Sequence, residues 1–227
     1  MSTPFPLVSG VRPGIELEER PGAADGIRSR NRQARTDAIA SAALHAFLKD
    51  GLESVTIEAI VRLAGTAKGS FYRYFVDKQQ LVECLVEPVR EAFQRHTERC
   101  RDDLAAAEAT ADVYAAYQNL ALNLAAIFVE HRAVVTLYLQ EARGPAVGAR
   151  MALHDLACEI DARAIELTNA AIDHGLIKPL DARVSGLSVV GAAEALLYRA
   201  TTGMDLGPPH VVAAALIQLV LDGVRVR

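Results

Sequence analysis

The chain has 227 residues, a formal net charge of −4, 51% hydrophobic and 23% charged residues, no tryptophan and three cysteines. That length holds one large domain or a small domain joined to a larger one, and the abundance of Ala, Leu and Val between Gly and Pro punctuation favours an all-α fold. Cys84, Cys100 and Cys158 are odd in number and widely spaced, which argues against a disulfide framework or a CxxC metal site and makes a reducing cytoplasm the expected compartment.

Residues 1–31 are expected to be a flexible arm. They contain Pro4, Pro6, Pro13 and Pro21 and no sustained apolar period. No apolar core of signal-peptide length follows a basic start, so secretion is not indicated. Arg28, Arg30, Arg32 and Arg35 come next, spaced by small or polar residues. They suit an arm along phosphates or a minor groove, and equally a solubilising linker.

Charge is unevenly placed. Between Arg28 and Lys78 nine basic side chains stand against five acidic ones, a local excess of +4, so the remainder carries −8. Phosphate attraction acts locally, while screening removes distant charge within about 8–10 Å, so an acidic chain can still present one phosphate-facing end. Chance clustering on a solvated face is the competing reading.

From residue 32 to 50 the apolar positions Ile39, Ala42, Ala43, Ala46 and Phe47 recur at helical spacing, and Gly51 ends the helix. Thr56 caps a second helix with Ile57, Ile60, Val61 and Ala64 inward, and Gly65 supplies the positive φ that stops it. A third helix begins near Ala67. Phe71 and Phe75 point inward, which leaves Lys68, Ser70, Tyr72 and Tyr74 to face elsewhere. Asp77 to Gln80 reads as a capping box for the next helix. Residues 32–77 thus form a helix-turn-helix head whose second motif helix carries DNA-facing chemistry.

Residues 78–227 are expected to be a larger helical ligand-binding and dimerisation domain. Helices are expected over 78–99, 112–131, 133–143, 146–174, 182–202 and 208–223, with a kink at Pro88. Val211 to Leu221 contains only Gln218 as a polar side chain, and at eleven residues it is too short for a bilayer, which takes about 20. A helix apolar nearly all round must be covered. A subunit interface built on Leu187, Gly191, Ala195, Val212, Leu216 and Leu219 is favoured over a deep monomer core, with Gly191 and Ala195 allowing close approach.

His154, Cys158 and Asp161 stand at i, i+4 and i+7, which suits a partly buried helix face better than a metal site, so no metal or cofactor is expected. His131, His174 and the tyrosines form no nucleophile, base and orienter at recognisable spacing, and no phosphate loop is present, so the chain does not read as an enzyme. Tyr114, Tyr117, Phe128, Tyr138 and His154 place apolar bodies with polar tips on the middle helices and are the candidate ligand contacts.

The stretch from Arg35 to Leu81 resembles the TetR family of transcriptional regulators. The resemblance rests on Arg35, on Ala46, Phe47 and Gly51, on Thr56, Ile60, Ala64 and Gly65, and on Lys68, Gly69, Ser70, Phe71, Tyr72, Tyr74, Phe75, Lys78 and Leu81. It implies a DNA-contacting set of Arg35, Thr56, Thr66, Lys68, Gly69, Ser70, Tyr72, Tyr74 and Lys78. Within that set Tyr72 looks like the phosphate-contacting tyrosine and Lys78 meets the backbone from the next helix. Val61 replaces the usual Ala, and Thr66 with Ala67 stands where a Val and a capping Ser are common. Thr66 is the residue left to take over that cap. The resemblance further implies a homodimeric repressor on a palindromic double-stranded DNA operator, released by a small-molecule effector, with no membrane partner. An all-helical ligand-binding or scaffold protein without sequence-specific DNA binding is the competing reading.

Overall fold

A computed structural model describes residues 8–15, 26–175 and 177–224. Among the described residues the regular structure is helical throughout. In chain order the helices are α1 Ile27–Asp50, α2 Ile57–Leu63, α3 Lys68–Phe71, α4 Lys78–Ala105, α5 Thr110–Glu130, α6 Arg132–Glu141, α7 Met151–Asp173, α8 Ala182–Thr201 and α9 Pro209–Val224. A 3-10 turn, Gly148–Arg150, precedes α7. The expected class holds: an all-α chain with a small N-terminal helical head and a larger helical remainder.

The chain divides into two compact units, Met1–Pro88 with Thr136–Asp155, and Val89–Val135 with Leu156–Arg227. The boundary expected at residues 77 and 78 is not where this division falls. The first turns of α4, the end of α6 and the start of α7 belong with the head, and the division within α4 comes at Pro88. Helix α4 continues on both sides of that proline, although proline there has no N–H to donate to the preceding turn.

Local chemistry accounts for most helix limits. Gly51, at φ 82°, closes α1 with its N–H on the Phe47 carbonyl at 2.9 Å. Asp181 starts α8 by accepting from the N–H groups of Arg183 and Val184. Two starts differ from expectation by more than two residues. Helix α1 begins at Ile27 because nothing from Arg28 to Gln33 breaks a helix, and both Arg and Gln favour one. Helix α7 begins at Met151 instead of Ala146 because Gly148 takes φ 54°, outside the helical region.

The first unit holds most of the heavy packing. Of the twelve largest fully buried side chains among the described residues, eleven lie in it, among them Ile39, Leu44, Phe47, Leu52, Ile60, Phe71, Phe75, Leu81 and Leu85. Each large apolar side chain so buried contributes about 1.5–3 kcal/mol. Of the flexible arm expected over residues 1–31, residues 8–15 lie on this unit, with Val11 only 1% exposed. The remainder of that arm up to residue 25 lies outside the described residues.

The second unit is built from two smaller clusters. One gathers Cys100, Leu104, Val113, Ala116 and Leu167, and the other Ala171, Ile177 and Leu221. Tyr117 packs against both, and its hydroxyl donates to the Leu167 carbonyl at 3.0 Å. Helix α9 runs against α5, and Tyr114 reaches across to donate to Asp222 Oδ1 at 2.8 Å. Helix α8 comes closest to α7 at Gly186, where an added Cβ would lie 3.0 Å from the Ile165 backbone nitrogen. Gly191, expected at a subunit interface, meets nothing of its own chain within 4 Å of where its Cβ would be. Among the described residues no single helix is long and apolar enough to cross a membrane.

Candidate nucleic-acid interface

The turn between α2 and α3 is set by Gly65 at φ 64°. Gly65 N–H donates to the Arg62 carbonyl at 3.2 Å and Thr66 N–H to the Val61 carbonyl at 2.9 Å. These are the paired bonds that close a glycine-terminated helix. Thr56 caps the other end of α2, its side chain accepting from Ala59 N–H at 3.2 Å.

This geometry corrects the expected role of Thr66. Because its N–H completes the end of α2, it sits one residue too early to cap α3. The N-cap position falls on Ala67, which has no hydroxyl, and α3 starts without a side-chain cap. Helix α3 spans only four residues, Lys68 to Phe71, so its own hydrogen bonds cannot hold it. Phe71 anchors it: the ring is fully buried, 5.6 Å from Phe75 and edge-on to Tyr72 at 5.5 Å.

Tyr74 departs from the expected DNA-facing position. It is 3% exposed, in the turn that follows α3, where its N–H donates to the Phe71 carbonyl at 2.9 Å. Tyr72 keeps the outward position at 45% exposure, with Lys68 Nζ 5.9 Å from its ring centroid. Lys68 also pairs with Glu58 of α2. That hydrogen bond is the main cause of both the raised pKa of Lys68 and the lowered pKa of Glu58. Gly69 is exposed, has no positive φ, and would meet nothing within 4 Å if it gained a Cβ. Arg35, Thr56 and Lys68 are exposed, whereas Ser70 and Thr66 are half-buried.

Lys78 has an internal task. Its ammonium donates to the carbonyls of Leu52 at 2.7 Å, Val55 at 3.1 Å and Glu53 at 3.4 Å, joining the start of α4 to the turn between α1 and α2. The same turn is held from a second direction. Glu141, at the end of α6, accepts from Leu52 N–H at 2.9 Å and from Arg150 Nε at 2.8 Å, and Arg150 Nη1 lies 3.4 Å from Glu53. Sequence reasoning missed Glu58, Glu141 and Arg150, and the hold of the Gln80 side chain on Gly14. Only the acid–base complementarity hints at them, since their partners are distant in the chain or on another helix.

Residues 39–85 match the family model described as bacterial regulatory proteins, tetR family. Over that segment the head is similar to the TetR family of regulators. No curated protein sequence matches the chain. Three solved structures share its fold. NalD of Pseudomonas aeruginosa, the secondary repressor of the MexAB-OprM multidrug efflux pump, is 20% identical with a TM-score of 0.66, over 86% of this chain and 98% of that one. The fatty acid degradation regulator FadR of Bacillus halodurans is 18% identical with a TM-score of 0.65, over 85% and 97%. The ketosteroid transcriptional regulator KstR2 of Mycobacterium tuberculosis is 22% identical with a TM-score of 0.64, over 85% and 96%. The described residues contain no group of three or more His, Cys, Asp or Glu able to hold a metal ion. Burial pushes the Cys84 and Cys100 thiols up to about 11 and about 12, so both stay protonated near neutral pH.

The five candidate ligand contacts fall in both units. Tyr114, Tyr117 and Phe128 belong to the second, where Phe128 is buried beneath the Arg132 guanidinium, 5.9 Å from the ring centroid. Tyr138, buried, and His154, half-buried, belong to the first. Of the residues expected at the subunit interface, Leu187, Ala195 and Leu219 are exposed and Gly191, Val212 and Leu216 half-buried.

Proposed function

We propose that this protein is a cytoplasmic homodimeric repressor that reads a near-palindromic duplex operator and leaves it when a small molecule binds the helical body. The observation that carries the DNA reading is the outward face of α3. Phe71 is buried while Lys68, Gly69 and Tyr72 remain exposed on a helix too short to hold itself. A bare Gly69 backbone that no internal neighbour requires suits close approach by a groove wall or phosphate. Lys68, Tyr72, Ser70, Thr56 and Arg35 are the proposed contacts. Tyr74 is excluded from them by its burial, and the ammonium of Lys78 is already engaged by three carbonyls.

Dimerisation is supported by the state of the last two helices. Helix α9 is apolar almost throughout, yet Leu219 is 74% exposed and Leu221 is its one buried side chain among the described residues. Leaving that surface in water is unfavourable, and a second copy supplies the cover. Two heads would then enter successive major grooves about 34–36 Å apart. For release, the end of α6 and the turn that precedes α7 reach the Leu52 turn through Glu141 and Arg150. A ligand that prefers one setting of those helices shifts the head through the turn at Leu52.

Footprinting on the DNA flanking the coding region tests the reading. Saturable protection of a palindrome is expected, with Tyr72→Ala weakening it about tenfold or more while its melting temperature stays close to the parent's. Sequence-blind, salt-sensitive binding alone would leave the scaffold reading. Sedimentation equilibrium tests the dimer: the parent is expected to be dimeric at micromolar concentration and Leu219→Asp to shift it toward monomer. A monomeric parent would reject the interface.

A further inference from the structure

Residues 8–15 lie ahead of α1 and are held on the head mainly by their backbone. Val8 N–H donates to Ser41 Oγ at 3.0 Å and Val11 N–H to Asp37 Oδ1 at 3.0 Å, while the Val11 carbonyl accepts from Gln33 Nε2 at 2.9 Å. Gln33, Asp37 and Ser41 stand at i, i+4 and i+8 along α1 and so form one polar stripe. Gln33 Nε2 also donates to Asp37 Oδ1 at 2.8 Å, which orients both for the segment. The Val11 side chain completes the contact by being almost wholly buried.

The other end of the segment meets different elements. Gln80 Nε2, on α4, donates to the Gly14 carbonyl at 2.9 Å, and Ile15 N–H donates to the Tyr74 carbonyl at 3.2 Å. Gly10 takes φ 74°, and a Cβ on Gly14 would lie 2.2 Å from the Gln80 side chain. Gln80 does a second job with its Oε1, which accepts from Val76 N–H at 2.7 Å. One amide thus holds both the segment and the chain that leaves α3.

We propose that residues 8–15 are a strap that sets the pose of α3 against α1, and so tunes operator recognition without touching DNA. The proposal rests on the DNA-reading function above. Helix α3 has no side-chain cap and one turn of its own, so its orientation is decided by what holds the chain on either side. Gly65 and the end of α2 fix its entry. The strap, through Tyr74 and Gln80, fixes its exit. Its named backbone groups face α1, α4 and the Tyr74 turn, which distinguishes it from an arm laid along phosphates. A head whose competent pose is only partly populated binds more weakly in proportion to that fraction.

The test uses the full chain and three variants. Val11→Asp and Asp37→Ala undock the strap, and Asp37→Asn retains the Oδ1 acceptor as a conservative control. Hydrogen exchange at the amides of Val11 and Ile15 is expected to be slow in the parent and to quicken about tenfold or more in the two undocking variants. Operator affinity is expected to fall about tenfold in those variants, with random-duplex affinity within about twofold of the parent and an unchanged slope of log affinity against log salt. Asp37→Asn is expected to stay near the parent in all of these. Fast exchange in the parent, or operator affinity within about twofold in both undocking variants, would overturn the strap. So would a slope lowered by about 0.9, the mark of a lost phosphate contact. If Val11→Asp fails to fold, Asp37→Ala against Asp37→Asn decides alone. A parent that protects no operator rejects the DNA reading itself, a result separable from one in which only the variants fail to differ.

Discussion

Lys78→Ala is expected to destabilise the head, and its loss of operator binding is expected to follow from that. The Lys78 ammonium donates to three carbonyls in the turn between α1 and α2. Hydrogen bonds from a charged donor contribute about 1.5–3 kcal/mol each, but one of these is long and the site is partly solvated, so a total loss of about 2–3 kcal/mol is expected. For a chain of this size that lowers the melting temperature by about 5–10 °C. Lys78→Met, which keeps most of the stem, is expected to recover little, because the donors and not the methylenes hold the turn. Thermal unfolding beside operator binding at several salt concentrations decides the matter. An unchanged melting temperature with a salt slope reduced by about 0.9 would make Lys78 a direct phosphate contact instead.

Phe71→Ala is expected to have the larger effect. The ring is fully buried and is the side chain through which the four-residue α3 is anchored. Truncating a buried Phe costs about 3–5 kcal/mol through lost transfer energy and the cavity left behind. A helix of one turn has no means of keeping its place without that anchor. Urea unfolding should show a large fall in midpoint, and operator protection should disappear at concentrations where the parent saturates. Tyr72→Ala is the contrast: its half-exposed ring leaves stability nearly unchanged while DNA binding falls. A Phe71→Ala variant less than about 1 kcal/mol below the parent would mean that α3 is held elsewhere.

The two substitutions separate what a sequence pattern shows from what it hides. Phe71 and Phe75, four apart and followed by a polar break, announce buried positions by spacing alone. Lys78 beside a helix start looks like a phosphate contact, because nothing nearby in the chain reveals that Leu52, Glu53 and Val55 present their carbonyls to it from more than twenty residues away. Tyr74 misled for a related reason. With Phe71 and Phe75 inward it was left to face elsewhere, but the turn that follows α3 buries it as well. Gly186 is required to be small by the packing of α8 on α7, and nothing near it in the residue order announces that.

Short-range chemistry was therefore legible from the chain itself. The helical class, the Thr56 cap, the Gly65 turn and the inward phenylalanines depend on groups a few residues apart, and the order of residues dictates those neighbours directly. What tertiary structure decided was partnership over distance. It placed Ala67 and not Thr66 at the start of α3, turned Lys78 and Glu141 onto the Leu52 turn, and laid residues 8–15 across α1 instead of leaving them as a free arm. The physical reason is the same in each case. A backbone carbonyl or amide is identical at every position, so which one a distant side chain satisfies is fixed only when folding brings the two together.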